Sequence, residues 1–96
     1  MFKPLDPLLH SELRLAIISL LVGMKQADFG FLKENTAATS GNLSVQLQKL
    51  SLAGYLTIEK SFKGNYPLTT CKITATGILA FENYVKAIRS YIDNGG

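Results

Sequence analysis

The chain has 96 residues, 47% of them hydrophobic, with one cysteine and a formal net charge of +3. That length supports one domain with a single core over residues 1–96 and leaves little interior volume for a cofactor pocket. One cysteine excludes an intramolecular disulfide, and the apolar run over 15–24 is too short to span a bilayer, so a cytoplasmic protein is expected. A secretory leader is not expected either, because Asp6 and Glu12 stand where such a segment carries positive charge.

Residues 1–10 read as an extended arm, punctuated by Pro4 and Pro7, with Phe2, Leu5, Leu8 and Leu9 as apolar handles. The spacing then predicts a helix over 11–22. Leu13, Ile17, Leu20, Leu21 and Met24 form its buried stripe, Ala16 and Ile18 widen it, and Gly23 is the expected stop. Residues 25–27 are a connector or a stub of strand. Asp28 can cap a shorter helix over 29–35 that turns Phe29 and Leu32 inward, and 36–38 make a tight turn with Ala37 where glycine is often found.

The next helix, over 39–53, organises the chain. Thr39 or Ser40 can cap it, Leu43, Leu47 and Leu50 stack on one side, and Gly54 supplies a residue able to take positive φ at its end. At about 100° per residue the opposite side carries Gly41, Asn42, Val45, Gln48 and Lys49, flanked by Ser44. That face has no acid and little bulk. Its amide, hydroxyl, ammonium and methyl groups suit base edges in a major groove.

After Gly54 the period becomes two. Leu56 and Ile58 alternate with Thr57 and Glu59 in a strand over 55–60, and Thr69, Cys71 and Ile73 share one face of a second strand over 68–73. Between them 61–67 is loop chemistry, with Gly64-Asn65 as the turn and Pro67 as its end. Thr74 caps a last helix over 75–92. Ile78, Phe81, Val85, Ile88 and Ile92 form one apolar stripe, and Ala80, Tyr84, Ala87 and Tyr91 a second. One stripe suffices to dock this helix on its own domain, so the second predicts a partner. The fold class expected is α+β, mostly α: a winged helix-turn-helix with a three-helix core, a two-stranded hairpin wing and a C-terminal dimerisation helix.

The charge is concentrated. Residues 1–36 and 73–96 are each neutral, and the whole excess lies in 37–72, where Lys49, Lys60, Lys63 and Lys72 face Glu59 alone. A basic middle between neutral ends points to a single polyanion-facing surface.

The run 42–56 (Asn-Leu-Ser-Val-Gln-Leu-Gln-Lys-Leu-Ser-Leu-Ala-Gly-Tyr-Leu), the glycine-containing wing and Ile-Thr-Ala-Thr-Gly at 73–77 resemble winged-helix transcriptional regulators of the ArsR-like and MarR-like superfamily, especially small single-domain members. The resemblance covers roughly 5–92. It implies a dimer joined through the terminal helices on a pseudo-palindromic operator, with Asn42, Ser44, Val45 and Gln46 against bases. Gln46 lies at the core boundary of the helix, so Gln48 and Lys49 rank above it. The candidate DNA-contacting set is therefore Thr39, Ser40, Gly41, Asn42, Ser44, Val45, Gln46, Gln48 and Lys49, with Lys60, Lys63, Asn65 and Tyr66 from the wing. The candidate dimer interface is Leu5, Leu9, Ile78, Phe81, Tyr84, Val85, Ile88, Tyr91 and Ile92.

Metal-sensing relatives carry cysteine pairs or His/Asp/Glu clusters, whereas this chain offers Cys71 and His10 alone, so neither metal nor cofactor is expected. Cys71 reads as a small buried hydrophobe and His10 as a surface or interface residue. No nucleophile–base pair, phosphate loop or carboxylate pair is present, which argues against an enzyme. Two functions remain: a sequence-specific dimeric regulator on double-stranded DNA, or a winged-helix module that binds protein, or nucleic acid without sequence readout, in a larger assembly.

Overall fold

The structure, a computed structural model, describes residues 1–95. Helix α1 (Glu12–Met24) buries Ile17, Ile18 and Leu21. Leu13 and Leu20 are half-buried and Met24 is exposed, so the buried stripe is centred one position away from the one the spacing suggested. Gly23 is not the stop. The chain leaves the helix at Lys25, which takes φ 73° and donates its N–H to Leu21 O at 2.7 Å. The reason lies in the partner: Lys25 O accepts from Ile73 N at 2.9 Å, and strand β1 (Gln26–Asp28) pairs antiparallel with 70–72. A lysine accepts this positive φ because helix α1 holds its N–H and strand β3 its carbonyl.

Helix α2 (Phe29–Thr36) starts where Asp28 Oδ1 accepts from Phe31 N at 2.8 Å. Helix α3 (Ser40–Leu52) starts where Thr39, rather than Ser40, accepts from Asn42 N at 3.2 Å. Between them Ala37 adopts the left-handed conformation at φ 55° and turns the chain. Leu32, Leu43, Leu47 and Leu50 are at most 2% exposed, so the two helices are joined through one apolar layer.

Strands β2 (Leu56–Lys63) and β3 (Tyr66–Ile73) form a hairpin longer than expected. Lys63 pairs with Tyr66, which leaves Gly64-Asn65 as a two-residue loop with Gly64 at φ 62°. Pro67 does not end a loop but sits inside β3 opposite Phe62. It is tolerated there because β1 reaches only as far as Thr70, so one side of β3 has no strand partner at Pro67. The sheet order is β1-β3-β2, a third strand added to the expected hairpin. Cys71 is fully buried in its centre, and burial pushes its thiol from 9.0 up to about 11, as befits a small core residue.

Helix α4 (Ala75–Gly95) begins where Thr74 Oγ1 accepts from Gly77 N at 3.0 Å and donates to Gly54 O at 2.6 Å. Thr74 N also donates to Tyr55 O at 3.2 Å, so the start of α4 is fastened to the junction of α3 and β2. Of its two stripes, the one centred on Tyr84 and Ala87 packs inward, while Ile78, Val85 and Ile92 are 38%, 40% and 67% exposed. The N-terminal arm runs back along α4. Its Met1 amino group meets Asn94 Oδ1, Phe2 stacks on Tyr91 with ring centroids 4.9 Å apart, and Lys3 N donates to Ser90 Oγ at 3.0 Å. Deeper in the arm, His10 Nδ1 and the Tyr84 hydroxyl share a 2.9 Å bond, and Tyr55 donates to Asp6 Oδ2 at 2.5 Å. Leu9 and Tyr84 therefore belong to the chain's own core, which removes both from the surface a partner could touch. Among the described residues no helix is long and apolar enough to cross a membrane, and no group of three metal-binding side chains is found.

Candidate nucleic-acid interface

With Leu43, Leu47 and Leu50 committed to the core, the rotation of α3 is fixed. Gly41, Asn42, Ser44, Val45, Gln48 and Lys49 all lie exposed on its outer side, as do Thr39 and Ser40 at its start. Val45 is 51% exposed, with its two methyl groups on the outer face. Gln46 is the exception. It is half-buried, its Oε1 accepts from Arg14 Nη1 at 2.6 Å, and its Nε2 donates to Asn42 Oδ1 at 3.0 Å, so its amide is engaged within the protein.

The wing lies beside this helix. Side chains alternate across a strand, so Lys60 shares the α3-facing side of β2 with Ile58, whereas Lys63 falls on the opposite side at the tip with Tyr66. Lys60 lines a groove with Ser44, Leu47 and Gln48 of α3, Phe29 of α2, and Ile58 and Thr69 of the sheet. The four wing candidates are thus not brought to one place: Lys60 borders the helix, while Lys63, Asn65 and Tyr66 surround the exposed tip.

Electrostatically the surface is simpler than the sequence. Glu59, the one acid between 37 and 72, pairs with Lys72 at 3.1 Å. The net charge of +3 is then carried by Lys49, Lys60 and Lys63, all exposed on α3 and the wing. Two residues beside this surface were missed in the sequence. Phe62, 75% exposed, shares the α3-facing side of the wing with Lys60, and the alternation around Lys60 was the signal for it. Arg14 reaches α3 from α1 across 32 positions, with Nε donating to Leu8 O at 2.6 Å as well. No local pattern announces such a contact.

A turn-linked helix pair, a hairpin beside the second helix and a closing helix are now in place, and a family profile described as a winged helix DNA-binding domain matches residues 13–92. The chain belongs to that winged-helix family. It is 38% identical over 79 residues to an uncharacterized protein of Methanocaldococcus jannaschii, covering 82% of this chain and 86% of that one. In fold, this winged-helix domain is similar to a transcriptional regulator homologue from Pyrococcus horikoshii OT3, with TM-score 0.84 and 24% identity over 91% of this chain and 86% of that chain. It is also similar to NadR solved in complex with 4-hydroxyphenylacetate, with TM-score 0.73 and 22% identity over 92% of this chain and 64% of that chain.

Proposed function

We propose that this winged-helix protein is a sequence-specific transcriptional regulator that binds double-stranded DNA as a homodimer. In this reading α3 enters the major groove and the wing follows the flanking backbone. One observation carries it: an acid-free outer face of α3 that bears Lys49 and is bordered by Lys60 of the wing. Lysines there meet phosphates and supply affinity, while Asn42, Val45 and Gln48 present amide and methyl groups to base edges. Lys49 has a stem long enough for either task.

Dimerisation is supported by α4. Ile78, Leu79, Val85 and Ile92 are exposed on it, and half-buried Phe81 and Ile88 border an apolar groove shared with Leu15 of α1. A second copy would cover that face, and a two-fold dimer presents two α3 helices, as a pseudo-palindromic operator requires.

The test is selection of bound sites from genomic fragments, followed by binding of Asn42→Ala, Val45→Ala and Gln48→Ala to the selected and a scrambled duplex. Each change should cost about 1–3 kcal/mol on the selected site and almost nothing on the scrambled one. Equal losses on both duplexes would mean that α3 does not read sequence. A monomer that heparin fails to retain would favour the other reading, a protein-interaction module.

A further inference from the structure

We propose that Arg14 and Gln46 are positioning residues that hold Asn42 as a hydrogen-bond donor toward a guanine edge, an inference that rests on the DNA-reading role of α3. It begins with an asymmetry of chemistry. A guanidinium carries only donors, so the 2.6 Å contact from Arg14 Nη1 must be received by the carbonyl oxygen of Gln46. That fixes which end of the Gln46 amide points inward. The NH₂ end then faces Asn42 and donates to its Oδ1 at 3.0 Å. The Asn42 amide is oriented in turn: its oxygen faces the protein, and its Nδ2 has no partner among the described residues.

A freely rotating asparagine reads adenine with both ends of its amide, accepting from N6 and donating to N7. In this chain the accepting end is engaged by Gln46. The end of the amide left without any partner is the donor, on an exposed position in the first turn of α3. Guanine offers two adjacent acceptors, N7 and O6, to such a group, whereas adenine sets its own N6 donor beside its one acceptor. The relay thus converts an ambidextrous side chain into a one-handed one. Arg14 is well placed to anchor it, because the bond from its Nε to Leu8 O holds the guanidinium from the other side.

The sharpest test is Gln46→Glu. A carboxylate keeps the Arg14 contact but has no donor, so Asn42 turns its NH₂ inward and its oxygen outward. Site selection with the wild type should return a guanine facing Asn42, and 7-deazaguanine there should weaken binding about tenfold. Selection with Gln46→Glu should instead return a base that carries an exocyclic amine, cytosine or adenine, at that position. Arg14→Met should lose the guanine preference by about the same factor without weakening binding to scrambled duplex, and should cost nothing more once Asn42 is alanine. Arg14→Lys, which restores a donor, should recover part of the loss. If Arg14→Met fails to fold, Gln46→Glu still decides, since it leaves every Arg14 contact in place. Retention of guanine by Gln46→Glu, or multiplying losses for Arg14→Met and Asn42→Ala, would overturn the relay while leaving sequence reading intact. A wild type that enriches no motif would overturn sequence reading itself, and the relay with it.

Discussion

Gly77 lies in the first turn of α4, directly beneath the junction of α3 and β2. A Cβ built on it would stand 2.1 Å from Tyr55 O, 2.9 Å from Tyr55 C and 2.8 Å from Ile73 Cδ1. The first two are backbone atoms and cannot rotate away, and at 2.1 Å the approach to Tyr55 O is well inside ordinary contact distance. Gly77→Ala therefore sets two effects against each other. Alanine gains about 1 kcal/mol of helix propensity, while forced overpacking costs about 1–3 kcal/mol, here at the upper end because backbone must move. The expected net loss is about 2 kcal/mol, a fall in Tm of about 8–16 °C for a domain of this size. Thermal unfolding followed by circular dichroism reads it, and Gly23→Ala is the control. A Cβ at Gly23 meets nothing within 4 Å, so that change should raise stability by about 0.5–1 kcal/mol. A Gly77→Ala protein that melts at or above the wild type, with Gly23→Ala behaving as stated, would refute the close-approach reasoning.

Leu47→Ala, at a position 2% exposed between α3 and the sheet, should cost about 2–5 kcal/mol in urea unfolding. Lys63→Ala should weaken selected and scrambled duplexes alike and lower the slope of log affinity against log salt by about one unit. Val85→Glu, at a position 40% exposed on α4, should leave the fold intact and yield a monomer by sedimentation with weakened operator binding. Burial raises the Cys71 thiol from 9.0 to about 11, and burial followed by the hydrogen bond to Asp6 raises Tyr55 from 10.0 to about 12. Both shifts favour the protonated group in the folded state. Their contribution is therefore complete below the unfolded values and is lost as pH rises from about 9 to 12. The urea midpoint should fall across that window, and Cys71→Ala should flatten its lower part.

Features fixed by neighbours in the chain were legible in the sequence. Asp28, Thr39 and Thr74 start helices through bonds spanning three residues, and Gly54 takes φ 80° after α3, so each left a local mark. Features fixed by distant partners were not. Gly23 looked like a helix stop, yet the exit moved to Lys25 because β3 holds the Lys25 carbonyl. Pro67 looked like the end of a loop, yet the strand runs past it because its open side needs no N–H. In α4 hydrophobicity alone pointed the wrong way, since the more apolar stripe, with Ile78, Val85 and Ile92, is the more exposed one. What separates the two stripes is that Tyr84 bonds to His10 and the small Ala87 permits close packing. The outer face of α3 was readable to the residue, Gln46 at its core boundary included, but the partner of Gln46, 32 positions upstream, was not.

The separation of duties within α3 also bears on how such a protein diversifies. Leu43, Leu47 and Leu50 make the core contacts of this helix, while Ser44, Val45, Gln48 and Lys49 are exposed. A library randomised at those four exposed positions should consist mostly of folded proteins, because the core does not register what they become. On the proposed DNA-reading role of α3, new duplex preferences would then be reachable in single steps without passing through unfolded intermediates. Asn42 stands apart. Its tie to Gln46, and through it to Arg14, means that a change there alters a partner two helices away. On that same reading, one face of one helix contains both a freely variable alphabet and a letter that is rewritten together with its neighbours.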